Sequence, residues 1–115
     1  MIEGVRTLLV AMMDIDPAIE DAAYNRWYNE EHFAERMECP GFIAGARYRA
    51  REGSPRYLAV YELAGLGALE TATYRAVRAH DSELTARMKA AIDPTTHVRN
   101  VYEQIHSARG KMPTL

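Results

Sequence analysis

The fold is decided at residues 5–13, which read VRTLLVAMM, an apolar run rich in Leu, Val and Met. Periodicity alone fits either a buried strand or a short buried helix. Asp14, Asp16 and Pro17 end the run, and so short a segment favours a strand. Even and odd positions are both apolar, with Leu8 opposing Leu9, so both faces of the strand are predicted to be covered.

The segments that follow complete a β-α-β-β-α-β order. The predicted strands are Val5–Met13, Phe42–Arg51, Arg56–Leu63 and Val98–His106, and the predicted helices are Pro17–Met37, Leu69–Ala79 and Ser82–Ile92. Asp16 is a candidate N-cap for the first helix, whose first position is Pro17. This order predicts an α+β fold of ferredoxin-like topology, in which one antiparallel sheet carries its helices on one face.

The second face of this sheet needs a cover of its own. In strand Arg56–Leu63, Tyr57 and Tyr61 alternate with Leu58 and Val60, so this strand is also apolar on both sides. The helices cover only one face, and a large exposed apolar face marks an interaction site. We therefore expect a homodimer in which two sheets pack face to face, closing into a dimeric α+β barrel.

Length and composition restrict the class of protein. At 115 residues with a net charge of −2, the chain is expected to be one domain over residues 1–106 with a tail over 107–115, and without a global field for nucleic acid or anionic membrane. No apolar segment is long enough to cross a bilayer. A lone cysteine, Cys39, and the lack of a secretory signal predict a cytoplasmic protein.

The first helix carries the candidate chemistry. Aromatic and ionisable side chains share one broad face at helical spacing, namely Tyr24, Trp27, Tyr28, Glu31, His32 and Glu35. His32 is the candidate general acid or base, because imidazole titrates near neutral pH, and Glu31 or Glu35 is expected to orient it. The aromatic rings would form the walls of a pocket, although such rings are also common packing residues. Candidate hydrogen-bonding groups from the sheet are Tyr61, Asn100 and Tyr102.

The motif Asn25–His32 (NRWYNEEH), followed by Pro40-Gly41-Phe42 and Arg47-Tyr48, resembles the EthD-like branch of the dimeric α+β barrel superfamily. The resemblance extends to Val101–Ile105, although Ala34 departs from the family pattern of a proline after the histidine. It implies a ferredoxin-like homodimer with a pocket between helices and sheet. The superfamily includes cyclases, cofactor-independent monooxygenases, isomerases and haem-degrading enzymes, so the resemblance does not imply one reaction.

These residues favour a cofactor-independent enzyme, or an accessory catabolic protein, that acts by proton transfer on a small hydrophobic molecule of aromatic, polyketide-like or lactone type. The alternative is a dimeric module that binds such a ligand without chemistry. The histidines are too scattered for a metal site, and haem bound through His32 is a weaker alternative to no cofactor. Cys39 is expected to be a small buried residue. RNA binding along Arg47, Arg49 and Arg51 is disfavoured if the sheet is buried in a dimer.

Overall fold

The computed structural model describes residues 6–111, so Val5 of the first predicted strand and residues 112–115 of the predicted tail lie outside it. Its strands are β1 (Thr7–Met13), β2 (Phe42–Arg49), β3 (Tyr57–Leu63) and β4 (Val98–Glu103). Its helices are α1 (Asp21–Trp27), α2 (Ala34–Met37), α3 (Ala72–Ala79) and α4 (Glu83–Ala90), with a π-helical segment, Tyr28–Phe33, between α1 and α2 and a 3₁₀ turn, Leu66–Leu69. The predicted α+β class and element order are confirmed.

The four strands form one antiparallel sheet in the order β2-β3-β1-β4. β1 is central, and its Leu9 lies opposite Tyr61 of β3 and Val101 of β4. A strand paired on both sides has all its backbone groups in ladders, which suits the most continuously apolar run in the sequence. The apolar run quoted above therefore supplies β1, a central strand of the sheet.

Alternation along the strands separates two faces of the sheet. The covered face carries the buried side chains that pack under the helices: Leu9, Met13, Tyr57, Ala59, Tyr61 and Leu63. The other face, here called the open face, carries the half-buried side chains Leu8, Val10, Met12, Leu58, Val60 and Val98, with the exposed Tyr48 and Tyr102 on its outer strands. Register places these residues side by side, as in Val10 between Val60 and Asn100. The predicted two-sided apolar sheet is present.

The first helix differs in two ways from the single α-helix predicted over Pro17–Met37. It begins at Asp21, because the Asp16 carboxylate accepts a hydrogen bond from the Ala18 N–H at 2.9 Å and caps only a local turn before an extended Glu20. It also widens into the π-helical segment before α2 continues to Met37. The helical path therefore continues past His32, through Ala34, although not as one regular α-helix.

Other predicted boundaries shift by a few residues. The predicted helix Leu69–Ala79 begins as α-helix only at Ala72, since Thr71 caps it by accepting a hydrogen bond from the Tyr74 N–H at 3.1 Å. α4 begins after Ser82, whose hydroxyl accepts from the Thr85 N–H at 3.0 Å. β4 ends at Glu103 instead of His106 because Glu103 pairs with Thr7, the first residue of β1. These caps and pairings set the boundaries that composition alone left open.

Candidate functional site

His32 lines a cavity of about 160 Å³ between the helices and the covered face of the sheet. Aromatic and aliphatic side chains from several elements form much of its wall. The lining residues are Leu9, Ala11, Met13, Tyr28, His32, Arg36, Tyr61, Tyr74, Arg78, Lys89, Ile92, His97 and Arg99. The cavity lies where a split β-α-β fold leaves space between sheet and helices, and its mixed lining is typical of a ligand site.

The π-helical segment determines how His32 sits against its neighbours. Its ring centroid lies 5.0 Å from the ring of Trp27 and 4.7 Å from that of Tyr28, in the latter case edge to face. A π turn bonds residue i to residue i+5. It therefore brings His32 over Trp27, five residues earlier, as well as over Tyr28, four residues earlier. π-Helical segments are frequent at functional sites, and this one contains the only histidine of the first helix.

Two buried polar atoms at this cavity lack hydrogen-bond partners among residues 6–111. They are Nδ1 of His32 and the hydroxyl oxygen of Tyr61, and both residues line the cavity. The Tyr28 hydroxyl approaches Tyr61 without reaching hydrogen-bond geometry. A buried polar group without a partner costs about 1–3 kcal/mol, and such a group in a native protein needs a specific explanation. A ligand in the cavity would supply one.

The pKa of His32 is lowered to about 3, so its imidazole is neutral at physiological pH. Burial is the largest cause, because it penalises the charged form. The positive charges of Arg36 and Lys89 act in the same direction, with a smaller effect from Arg47, and Asp81 opposes them. His32 is therefore a hydrogen-bonding group and a weak base.

Glu31 is not the partner of His32. Its carboxylate accepts hydrogen bonds from the Thr85 hydroxyl at 2.9 Å and from the Ser82 hydroxyl. Thr85 in turn accepts a bond from the Trp27 indole N–H at 2.9 Å, so the chain of bonds joins the first helix to the start of α4. The predicted orienting role of Glu31 is corrected, because its oxygen is already engaged in holding two helices together.

Glu35 also lies away from the cavity wall. It does not belong to the lining residues, and its backbone carbonyl accepts a bond from the Cys39 thiol at 3.4 Å. Cys39 is buried, and burial raises the pKa of its thiol, which disfavours the reactive thiolate. No carboxylate of the described chain therefore orients His32 by a hydrogen bond.

The predicted aromatic walls divide into cavity and core. Tyr28 and Tyr61 line the cavity, whereas Tyr24 and Trp27 are buried behind it. The Tyr24 hydroxyl donates to the Met13 sulfur at 2.8 Å, and the Trp27 indole is engaged by Thr85. Their role as packing residues, which the sequence left open, is the one that the contacts support.

Asn100 and Tyr102 are not brought to the site. In register they pair with Val10 and Leu8, so they lie on the open face, and the Asn100 amide donates to the Tyr102 hydroxyl at 2.8 Å. Arg99, which precedes Asn100 and pairs with Ala11 on the covered face, lines the cavity instead. The prediction chose the wrong side of β4, because the strand has no apolar alternation that marks its buried side.

The cavity also contains residues that the sequence did not single out, chiefly Arg36, Tyr74, Arg78, Lys89, His97 and Arg99. Arg36 had a usable signal, since it lies four residues after His32 and therefore one turn away on an α-helix. The others come from α3, α4 and the last strand with its preceding loop, which meet only in the folded chain. Four of these six residues carry positive charge, namely Arg36, Arg78, Lys89 and Arg99.

Clusters of His, Cys, Asp and Glu able to hold a metal ion do not occur within residues 6–111. Over the same range, the helices are too short or too polar to cross a bilayer. Neither finding identifies the ligand. The chemistry of the cavity rests on its own lining.

Fold and cavity together define a ferredoxin-like α+β protein with a pocket between helices and sheet. No protein-family model and no curated protein matches the chain. Solved structures do match. A dimeric ferredoxin-like protein from an uncultured marine organism aligns with a TM-score of 0.68 and 13% identity over 94% of this chain and 95% of its own.

Two further structures connect this fold to named proteins. An EthD family protein from Bacillus halodurans has a TM-score of 0.60 and 15% identity over 89% of this chain and 100% of its own. SnoaB, a cofactor-independent oxygenase from Streptomyces nogalater, has a TM-score of 0.54 and 16% identity over 96% of this chain and 97% of its own. At such identities these matches show the fold alone, and it is the ferredoxin-like fold that the resemblance to the EthD-like branch implied.

The lowered pKa of His32 predicts a specific loss of stability in mild acid. The unfolded chain binds a proton at this residue below about pH 6.5, whereas the folded protein does so only near pH 3. Well above pH 6.5, from about pH 7.5, neither state is appreciably protonated and His32 adds no pH dependence. As the pH falls to 5, the proton taken up by the unfolded state lowers the free energy of unfolding by about 2 kcal/mol.

Urea unfolding at pH 7, 6 and 5 measures this loss. His32→Gln should lose about 2 kcal/mol less than the unchanged protein between pH 7 and 5. His80→Gln, which alters an exposed histidine at the end of α3, is the control and should retain the full loss. If the free energy of unfolding falls by the same amount between pH 7 and 5 in His32→Gln and in the unchanged protein, this result would contradict a buried neutral imidazole.

Proposed function

We propose that the protein is a cofactor-independent enzyme that moves a proton within a small, largely apolar ring compound, with His32 as the proton carrier. The observation that carries this proposal is the pair of unpartnered polar atoms, His32 Nδ1 and the Tyr61 hydroxyl oxygen, on residues of one aromatic-lined cavity. A proton acceptor and a hydroxyl donor at one site are what an enolising reaction requires.

Cavity size limits the substrate. About 160 Å³ is close to the roughly 150 Å³ of a dry cavity that takes up benzene. Such a space suits one ring of aromatic, enone or lactone type, and a polycyclic molecule would extend beyond it. Because the rings of His32 and Tyr28 pack edge to face, the imidazole lies beside an aromatic wall on which a planar ring can stack.

In the proposed reaction, neutral His32 takes a proton from the carbon next to a carbonyl group, which leaves an enolate. The Tyr61 hydroxyl, whose pKa burial raises further, stays protonated and can donate a hydrogen bond to the enolate oxygen. The imidazolium then returns the proton to the same carbon or to the far end of a conjugated system. Return to the far end is an isomerisation, with no net change in protons or electrons.

The same fold in SnoaB, a cofactor-independent oxygenase, supports a role in small-molecule biosynthesis or catabolism that needs no bound cofactor. We propose that the protein is located in the reducing cytoplasm, with which its free cysteine, Cys39, is compatible. An accessory protein of such a pathway would use the same cavity.

A second function, binding without chemistry, is favoured by one observation. With a pKa of about 3, His32 is a poor base at neutral pH. A binding module would use Nδ1 and the Tyr61 hydroxyl only as hydrogen-bonding groups for the ligand. The two functions differ in whether a carbon-bound proton exchanges with solvent.

Deuterium uptake from D₂O into 3-cyclohexenone and α-angelica lactone, followed by NMR, tests the enzymatic function. Both probes carry an acidic C–H between a carbonyl group and a double bond, in one ring. We expect the protein to accelerate uptake and His32→Gln to lower the rate by about 10²-fold or more, a typical contribution of a general base. His80→Gln, the matched exposed-histidine variant, should keep the full rate.

Tyr61→Phe should retain the His32 base but slow exchange, because the enolate loses its donor. Exchange of both probes at the uncatalysed rate, with binding visible in the same spectra, would favour the binding module. An undiminished rate for His32→Gln would remove His32 from the reaction.

We also propose that two copies associate through the open face. Six half-buried apolar side chains from three strands lie together there, and Tyr48 and Tyr102 are 56% and 49% exposed at its margins. Monomeric proteins rarely leave so continuous an apolar surface to solvent. One of the similar structures is a dimeric ferredoxin-like protein, which supports a second copy as the cover. Asn100 and Tyr102 would then belong to the interface.

Sedimentation equilibrium at micromolar concentration should give a dimer. Val10→Glu places a charge at the centre of the open face and should yield a monomer. Ala22→Glu, on the exposed side of the first turn of α1, is the control and should remain dimeric. A monomeric unchanged protein, or a Val10→Glu protein that stays dimeric, would exclude this interface.

A further inference from the structure

The cavity is strongly cationic although the chain as a whole is not. Arg36, Arg78, Lys89 and Arg99 line it, and the lining includes no Asp or Glu, whereas the net charge of the protein is −2. Lys89 is offset by Asp81, whose carboxylate lies 2.9 Å from its ammonium group. Three guanidinium groups remain, which concentrates positive potential in one partly enclosed space.

Arg36 is the most informative of these groups. Its side chain is buried at 9% exposure, and within residues 6–111 no carboxylate lies within salt-bridge distance of it. Over the same residues its guanidinium donates one hydrogen bond, to the backbone carbonyl of His32 at 3.4 Å. Arginine is almost never buried without an ion partner, because removing its charge from water is costly. A ligand anion would be that partner.

Arg78 and Arg99 are exposed and also line the cavity, which places them at its mouth. The Arg99 guanidinium donates to the hydroxyl of buried Tyr74 at 3.0 Å, so its head group is held against the cavity wall. Cations at a mouth attract an anion, and a buried cation inside retains it.

We infer that the cavity binds a single-ring carboxylate, with Arg36 as its inner counter-ion and Arg78 and Arg99 at the entrance. This inference rests on the proposed function, since it names the substrate class for the same site. One buried guanidinium balances one negative charge, and its planar fork matches the two oxygens of a carboxylate. The ring occupies the space beside Tyr28 and His32.

The same geometry explains how a weakly basic His32 becomes useful. The positive charge of Arg36 is one of the causes of the low pKa of His32. A carboxylate beside Arg36 offsets that charge, so ligand binding removes one of the causes that lower the pKa of His32, although burial, the largest cause, remains. The base is therefore strengthened when a substrate of the right charge is present.

Calorimetric titration with benzoate and with its neutral analogue benzamide tests the inference. A charged hydrogen bond to Arg36 should make benzoate bind about 10- to 100-fold more tightly than benzamide. Arg36→Met should remove this preference while the protein remains folded, because it replaces a buried charge with an apolar side chain of similar length. Arg99→Gln, a change at an exposed position, should weaken benzoate binding by a smaller factor. Arg87→Gln, on the exposed side of α4, is the control and should leave both affinities unchanged.

A readout independent of affinity comes from ¹⁵N NMR of the His32 ring at pH 5, where saturating benzoate should raise the protonated fraction of the imidazole and saturating benzamide should leave it unchanged. Equal affinities for the two probes, no benzoate binding, or an unchanged preference in Arg36→Met would overturn the inference. The proposed function fails separately. If α-angelica lactone exchanges deuterium while benzoate does not bind, the carboxylate substrate class is wrong and the proposed proton transfer stands. If benzoate binds but neither probe exchanges deuterium, the carboxylate site stands and the proposed enzymatic function is wrong.

Discussion

The packing of Tyr24 against the sheet is the interaction on which the rest of the structure depends. Its ring is fully buried, with centroids 5.1 Å from Tyr57 of β3, 5.7 Å from Trp27 and 5.8 Å from Tyr28. These contacts fix which side of α1 faces the sheet, since rotating the helix would expose several large rings at once. The chain of bonds from Trp27 through Thr85 to Glu31 then places α4 against the same helix. The cavity is the space that remains between these elements and β1.

This arrangement puts positive charge where the ordinary core of a small domain would be apolar. The π-helical segment turns His32 toward Trp27 and Tyr28, and one turn later Arg36 is buried without an ion partner within the described residues. Both features cost stability, the first because a buried imidazole nitrogen has no hydrogen-bond partner among residues 6–111 and the second because no carboxylate of those residues lies within salt-bridge distance of the guanidinium. Local costs of this kind are characteristic of functional sites, and here one anionic ligand would offset both.

The sequence was sufficient for the architecture because the signals were local and consistent. The apolar run of β1, the turn before β2 and the two-sided apolar run of β3 each specify their element from neighbouring residues alone. The π-helical segment could not be predicted, since the motif Tyr28–Phe33 contains no residue that marks a widened turn. The start of α1 was displaced because Asp16 caps a turn that periodicity does not reveal.

The site was predictable only in part. The choice of His32 as a site residue rested on residue chemistry and helical spacing. The orienting role predicted for Glu31 does not hold, because Ser82 and Thr85, more than fifty positions away in sequence, donate hydrogen bonds to its carboxylate. The cationic lining depends on which face of β4 is covered, and β4 has no alternation to indicate it. The most direct test of the account is the titration of the His32 ring in the ligand-free protein, followed by ¹⁵N NMR. The account predicts that the imidazole stays neutral well below pH 5, in line with a pKa of about 3, and a midpoint near the ordinary value of about 6.5 would contradict it.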